Sequence, residues 1–193
     1  MRFANAMRFP LLMFVGVLTI AAQTRPVTVL IETGLGMIEV EIDTAHAPVT
    51  AGNFLRYVDA GRYDGGQFHR TVKPDNQPNN NIKIEVIQAG RSPGSKGFPS
   101  IPLERTSATG LLHRDGTISM ARDGPDTAAS DFFICIGDQP SLDFDGKRNP
   151  DGQGFAAFGR VVKGMDVVRK IQAAPVTAQN LTPPVRILKI HRK

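Results

Sequence analysis

The chain has 193 residues, 41% hydrophobic and 21% charged, the composition of a single globular domain with enough apolar material for a core. Its formal net charge of +5 includes Arg2 and Arg8, and no run of five or more like charges occurs. That scatter argues against a dedicated nucleic-acid patch, and the single cysteine, Cys135, excludes an internal disulfide.

Residues 1–22 read as an export signal. Arg2 and Arg8 form a basic start, Leu11 to Ile20 is an almost unbroken apolar run, and Ala21-Ala22 offers small residues for cleavage. The apolar run is shorter than the roughly 20 residues that span a bilayer. The mature domain is therefore expected at 23–193, beginning near Gln23. It is expected in the periplasm of a bacterium, as a monomer without stable membrane insertion after processing.

The first expected strands are Val27 to Thr33 and Met37 to Ile42, joined across Gly34-Leu35-Gly36. Ile38, Val40 and Ile42 alternate with Glu39, Glu41 and Asp43, so one face is buried and the other wet. A helix follows, with Pro48 in its first turn, Phe54, Leu55 and Val58 at helical spacing, and Gly61 as its stop. The Asp64-Gly65-Gly66 turn then delivers a strand carrying Phe68, His69 and Arg70. A period of two sends Phe68 and Arg70 to one face and His69 to the other. Residues 74–81 form a polar loop, Ile82 to Gln88 resumes a strand, and Gly90 to Pro102 reads as a long ordered loop. Short strands are expected near Ile101 to Glu104, Gly110 to His113, Thr117 to Ala121, Phe132 to Gly137 and Phe155 to Val162. A second helix at Met165 to Ala173 carries Val167, Val168 and Ile171 as its apolar stripe, and Val185 to His191 closes as a strand. About eight of these runs as full strands, with two helices and no βαβ alternation, predict a mainly β fold, a closed eight-stranded antiparallel barrel capped by two α-helices.

Several blocks of this chain fall in the order of one family. Tyr63-Asp64-Gly65-Gly66-Gln67-Phe68-His69-Arg70 resembles the hallmark of cyclophilins, the peptidyl-prolyl cis-trans isomerases. Ile87-Gln88-Ala89-Gly90, Gly116 to Arg122 with its Ser119-Met120-Ala121 centre, Ser130-Asp131-Phe132-Phe133-Ile134 and Phe158-Gly159-Arg160-Val161 resemble its later blocks. Together they cover roughly residues 27 to 192. The resemblance implies a cyclophilin-like barrel that accelerates X-Pro rotation in exported, folding proteins, with proline-containing segments as partners.

Such a reaction breaks no bond, so it calls for no nucleophile, cofactor or metal. It needs a slot for the proline ring, donors that hold the twisted peptide, and a group that weakens amide resonance. The resemblance makes Arg70 the catalytic residue, since a guanidinium is always charged and offers donors in a fixed fork. It assigns Gln88 to the substrate carbonyl or to Arg70, and Val86, Phe133 and Leu142 to the proline slot. Ala121 and Arg122 fall at the peptide-binding edge, Phe155 forms an aromatic wall, and His69 is a supporting neighbour.

Departures from the family pattern stand beside these matches. Glu85-Val86 replaces a Phe-Met pair, Ser141 replaces a tryptophan before Leu142-Asp143, Phe155 replaces a histidine and Asp131 a glutamine. The missing indole predicts weak cyclosporin binding. A Glu85 carboxylate paired with Arg70 would instead make the chain a chaperone or binding module for proline-containing segments with little turnover. Asp143-Phe144-Asp145-Gly146 begins like a calcium loop, but Lys147 breaks the ligand pattern.

Overall fold

A computed structural model describes residues 26–193; the expected signal at 1–22 lies outside the described residues. The alternation read from the first hairpin is what builds the structure's first wall. β1 (Val27–Thr33) pairs antiparallel with β2 (Gly36–Ile42), and Val29 and Ile31 meet Val40 and Ile38 on the buried face. The remaining strands are β3 (Gln67–Val72), β4 (Val86–Gly90), β5 (Thr117–Met120), β6 (Phe132–Cys135), β7 (Ala156–Lys163), β8 (Val176–Thr177) and β9 (Asn180–Arg192). Their spatial order is β1-β2-β7-β5-β6-β4-β3-β9, and β9 returns to pair with β1. Eight antiparallel strands thus close into a barrel, which leaves no open edge among them. The two-residue β8 lies outside, paired with the start of β9.

Among the described residues three α-helices accompany the barrel. α1 (Pro48–Asp59) starts with its proline where an unpaired N–H would be lost anyway. Phe54, Leu55 and Val58 from α1 join Val167, Val168 and Ile171 from α3 (Met165–Gln172) in one core with the inward strand residues. Phe54 is the hub, packing its ring against Tyr63, Phe132 and Phe158 with centroids 5.1–5.4 Å apart. The third helix, α2 (Thr106–Thr109), is a single turn.

The two-helix expectation missed α2, and β8 was unexpected. Elements of four and two residues are too short to show a period. Three strand expectations fail for a common reason: side chains take the backbone groups that a ladder would need. The Gln77 amide accepts the Ile84 N–H and donates to the Ile84 carbonyl at 2.8 Å, so β4 starts only at Val86. Asp126 accepts the Leu103 N–H, which leaves one bridge between Ile101 and Ala128 where a strand was expected. Asp143 accepts the His113 N–H, and 110–113 is no strand. The polar 74–81 loop contains a 3₁₀ turn (Pro74–Asn76) and the buried Gln77 side chain, which ties it down.

Candidate active site

The strand that carries Phe68, His69 and Arg70 does not keep a period of two. Phe68 pairs with Ala89 and Arg70 with the adjacent Gln88, so β3 spends an extra residue, a bulge at His69. Bulges re-aim side chains. Phe68 therefore points into the barrel, where its ring meets Phe132 edge-on, while Arg70 turns to the outer face. This corrects the expectation that Phe68 and Arg70 share a face.

On that outer face the pairing is regular. Val72 lies opposite Val86 and Val86 opposite Cys135; Arg70 lies opposite Gln88 and Gln88 opposite Phe133. Val72, Ile84, Val86, Phe133, Cys135 and Leu142, flanked by Ala121 and Phe155, form a second apolar cluster separate from the barrel core. It floors a cavity of about 400 Å³. Burial pushes the Cys135 thiol far above its ordinary range, so Cys135 acts as a small apolar residue here.

Phe133 is held on two sides. The Phe155 ring meets it edge-on with centroids 5.3 Å apart, and the buried His113 ring stacks on it at 5.9 Å. His113 is fixed in turn by Asp143 at Nδ1 (2.7 Å) and Ser119 at Nε2 (3.0 Å). The calcium-like loop thus begins with a carboxylate already committed to a histidine.

Arg70 stands at the edge of this apolar floor. Its Nη1 donates to Gln88 Oε1 at 3.0 Å, while its Nε and Nη2 donate to Gln179 Oε1 at 2.9 and 2.5 Å. Three of the guanidinium's five N–H groups are engaged, one on each nitrogen, leaving one on Nη1 and one on Nη2. Partial burial lowers the pKa of Arg70 from its ordinary value, a sign of a cation poorly solvated by water. Among the described residues no carboxylate pairs with it. Glu85 points elsewhere, accepting from Gln172 Nε2 at 2.8 Å at the end of α3.

Gln179 was not foreseen. It sits in the two-residue turn between β8 and β9, where Ala178 adopts φ +57°, and its Nε2 donates to the Asn76 carbonyl at 2.9 Å. The register of β9 on β3 pairs Arg70 with Asn180, which brings Gln179 alongside the guanidinium. Its neighbours in sequence carry no sign of this, because the contact spans 109 positions.

The cavity gathers Arg70, Val86, Gln88, Ala121, Arg122, Phe133, Leu142 and Phe155, all expected from sequence. His69 is not in its lining; it sits half-exposed with Nε2 3.8 Å from Asp131. Arg122 lines the space with its guanidinium already engaged. Its guanidinium binds both Asp151 oxygens at 2.7 and 3.0 Å, donates from Nε to the Gly154 carbonyl, and lies 5.1 Å over the Phe155 ring. Gly154 adopts φ +65°, and a Cβ there would meet the Asp143 backbone at 2.5 Å, so this turn requires glycine. Two residues that line the cavity, Arg148 and Asn149, come from the same 143–155 connection and were not anticipated.

A closed antiparallel barrel with an arginine-edged apolar slot on its outer face defines a class of proteins whose site lies on the wall and not inside the barrel. Residues 28–192 match the family model described as cyclophilin type peptidyl-prolyl cis-trans isomerase/CLD, and the chain belongs to that family. It is 37% identical over 163 residues to peptidyl-prolyl cis-trans isomerase A of Dickeya dadantii, covering 84% of this chain and 78% of that one. It is 35% identical to a peptidyl-prolyl cis-trans isomerase of Acinetobacter baylyi over 170 residues, 84% and 83% of the two chains. Among solved structures, a Cryptosporidium parvum cyclophilin type isomerase shares the fold with a TM-score of 0.65 at 22% identity, covering 87% of this chain and 98% of that one.

Proposed function

We propose that this peptidyl-prolyl cis-trans isomerase works on X-Pro bonds of exported proteins while they fold, with Arg70 as its catalytic residue. The observation that carries the assignment is an arginine with two uncommitted N–H groups at the edge of an apolar slot on the barrel wall. Phe133, Leu142 and Val86 take the proline ring. Ala121 lines the peptide's edge. Gln88 spends its oxygen on Arg70, so its amide nitrogen is left to donate to a substrate carbonyl.

Rotation about the C–N bond takes the prolyl nitrogen out of conjugation and leaves a lone pair on it. An N–H of Arg70 donating to that lone pair binds the twisted amide more tightly than either planar isomer, which lowers the barrier of about 18–20 kcal/mol. No covalent intermediate forms. The Glu85 position removes the motive for the binding-module alternative, because the guanidinium is held by two amides and not by a carboxylate. An isomerisation assay on a short X-Pro peptide, with Arg70→Ala beside the wild type, tests the reading.

Gln179 positions Arg70 and is expected to matter through it. Gln179→Ala should lower kcat about tenfold with KM nearly unchanged, the loss of one orienting contact to a charged donor. In an Arg70→Ala background the same change should add almost nothing, because the group being aimed is gone. Full additivity of the two would show that Gln179 acts independently of Arg70.

The export reading rests on the basic start and apolar run of residues 1–22. Expressed in a bacterial host, the full chain is expected in the periplasmic fraction with a new N-terminus near Gln23. Recovery from the cytoplasm with Met1 or Arg2 at its start would refute it.

A further inference from the structure

Arg148 lines the cavity, has no part in the chemistry above and, unlike Arg122, is paired with no carboxylate among the described residues. Its backbone N–H donates to the Ser141 carbonyl at 3.1 Å, and its Nη1 donates to the Ile82 carbonyl at 2.6 Å. The half-buried side chain lines the same cavity as Arg70, Val72 and Ile84. Arg122, the third arginine in that lining, is neutralised by Asp151, whereas Arg148 makes no ion pair among the described residues. Burial, and then the nearby Arg70 charge, hold its guanidinium below its ordinary pKa. Two like charges thus line one groove, and among the described residues neither is ion-paired, although the carboxylates of Asp123 and Asp131 line the same cavity.

The groove is also polarised along its length. Asp131 lies two residues before Phe133, immediately ahead of β6 and beside the Gly90 end of β4. Arg148 is fastened to Ile82, ahead of Ile84 and Val86, beyond the opposite end of β4. A peptide that seats its proline on Phe133 and Leu142 therefore has Asp131 toward one flank and Arg148 toward the other. The side nearer Arg148 lacks only a carboxylate.

We infer that Arg148 is a specificity residue: the isomerase favours segments that carry an aspartate or glutamate on the flank of the proline lying over Val72 and Ile84. This rests on the isomerase reading, and deepens it by naming a substrate class. The fixed fork of Arg148 has donors left after its bond to Ile82, enough to bind a side-chain carboxylate. A lysine on the same flank would face two guanidinium groups and be disfavoured.

The test compares short X-Pro peptides that differ only by Glu, Gln or Lys, placed one or two residues before or after the proline. The quantity read is the ratio of kcat/KM for Glu over Gln within each protein variant, so a general loss of activity cancels. The wild type is expected to show a ratio of roughly three to ten on one flank, as for a charge-assisted contact at a half-buried site. The ratio should fall toward one in about 0.5 M salt, where the Debye length is short. It should also fall to about one in Arg148→Gln, and stay above one in Arg148→Lys, which keeps the charge. A wild-type ratio of one on both flanks, or a preference that survives Arg148→Gln, overturns the inference while leaving the isomerase intact. A wild type that accelerates none of the peptides overturns both.

Discussion

Replacing Arg70 by alanine is expected to lower kcat/KM for a short, neutral X-Pro peptide by about 100- to 1,000-fold while the barrel stays folded. The magnitude is that of deleting a preorganised donor aimed at developing charge. The donor is preorganised here because Gln88 and Gln179 fix the guanidinium from two sides before any substrate arrives, so little reorganisation is left for the transition state. Stability should change by less than about 1 kcal/mol, because Gln88 lines an open groove and Gln179 is only half-buried, so water can reach both amide oxygens set free. Arg70→Lys should not restore the activity to within about tenfold. A lysine keeps the charge but lacks the planar fork that bonds Gln88, Gln179 and substrate together. A continuous assay with a cis-enriched peptide gives the rates, and thermal unfolding confirms the fold. If Arg70→Ala stayed within a few-fold of wild type, the acceleration would have to come from the slot alone, by binding a distorted peptide on Phe133 and Leu142.

The contrast between Gln88 and Gln179 shows what a linear reading can reach. Gln88 stands one strand from Arg70 and inside a block of recognisable residues; Gln179 accepts two hydrogen bonds from Arg70 against one for Gln88, but arrives through the return of β9, and only the closed topology brings it there. The alternation of β2 was legible because Ile38, Val40 and Ile42 are buried while Glu39 and Glu41 between them reach solvent. The orientation of Arg70 was not, because a single extra residue in β3 inverts every side chain after it. The bulge leaves no mark on composition. Glu85 stood next to groove-lining positions in the sequence, yet it shares a face with Ile87 and so turns from the groove to Gln172. The expected strands at 101–104 and 110–113 had the right residue types, and lost their ladders to Asp126 and Asp143, carboxylates 23 and 30 positions away.

The largest effect expected on stability lies in the wall that holds Phe155. The Arg122 side chain is 1% exposed, and its charge is matched by Asp151, which is 32% exposed. Removing one partner of a buried pair strands the other, at a cost of about 3–5 kcal/mol in fully enclosed sites. Because Asp151 faces water on one side, Asp151→Ala should cost less, about 2 kcal/mol at neutral pH, read from urea unfolding. The pH dependence gives a sharper test. The hydrogen bonds from Arg122, and then the Gln153 N–H, hold the Asp151 carboxyl below its ordinary value of 3.8. A carboxyl depressed on folding contributes stability that is complete above the unfolded pKa and disappears as pH falls through the folded one. The gap between wild type and Asp151→Ala should therefore be constant from pH 7 to about 5 and close only below about 4. A gap that opened or closed near pH 6 would implicate a histidine instead. The same variant should raise KM more than it lowers kcat, because Arg122, Gly154 and Phe155 shape the slot while Arg70 is held from the opposite side by Gln88 and Gln179.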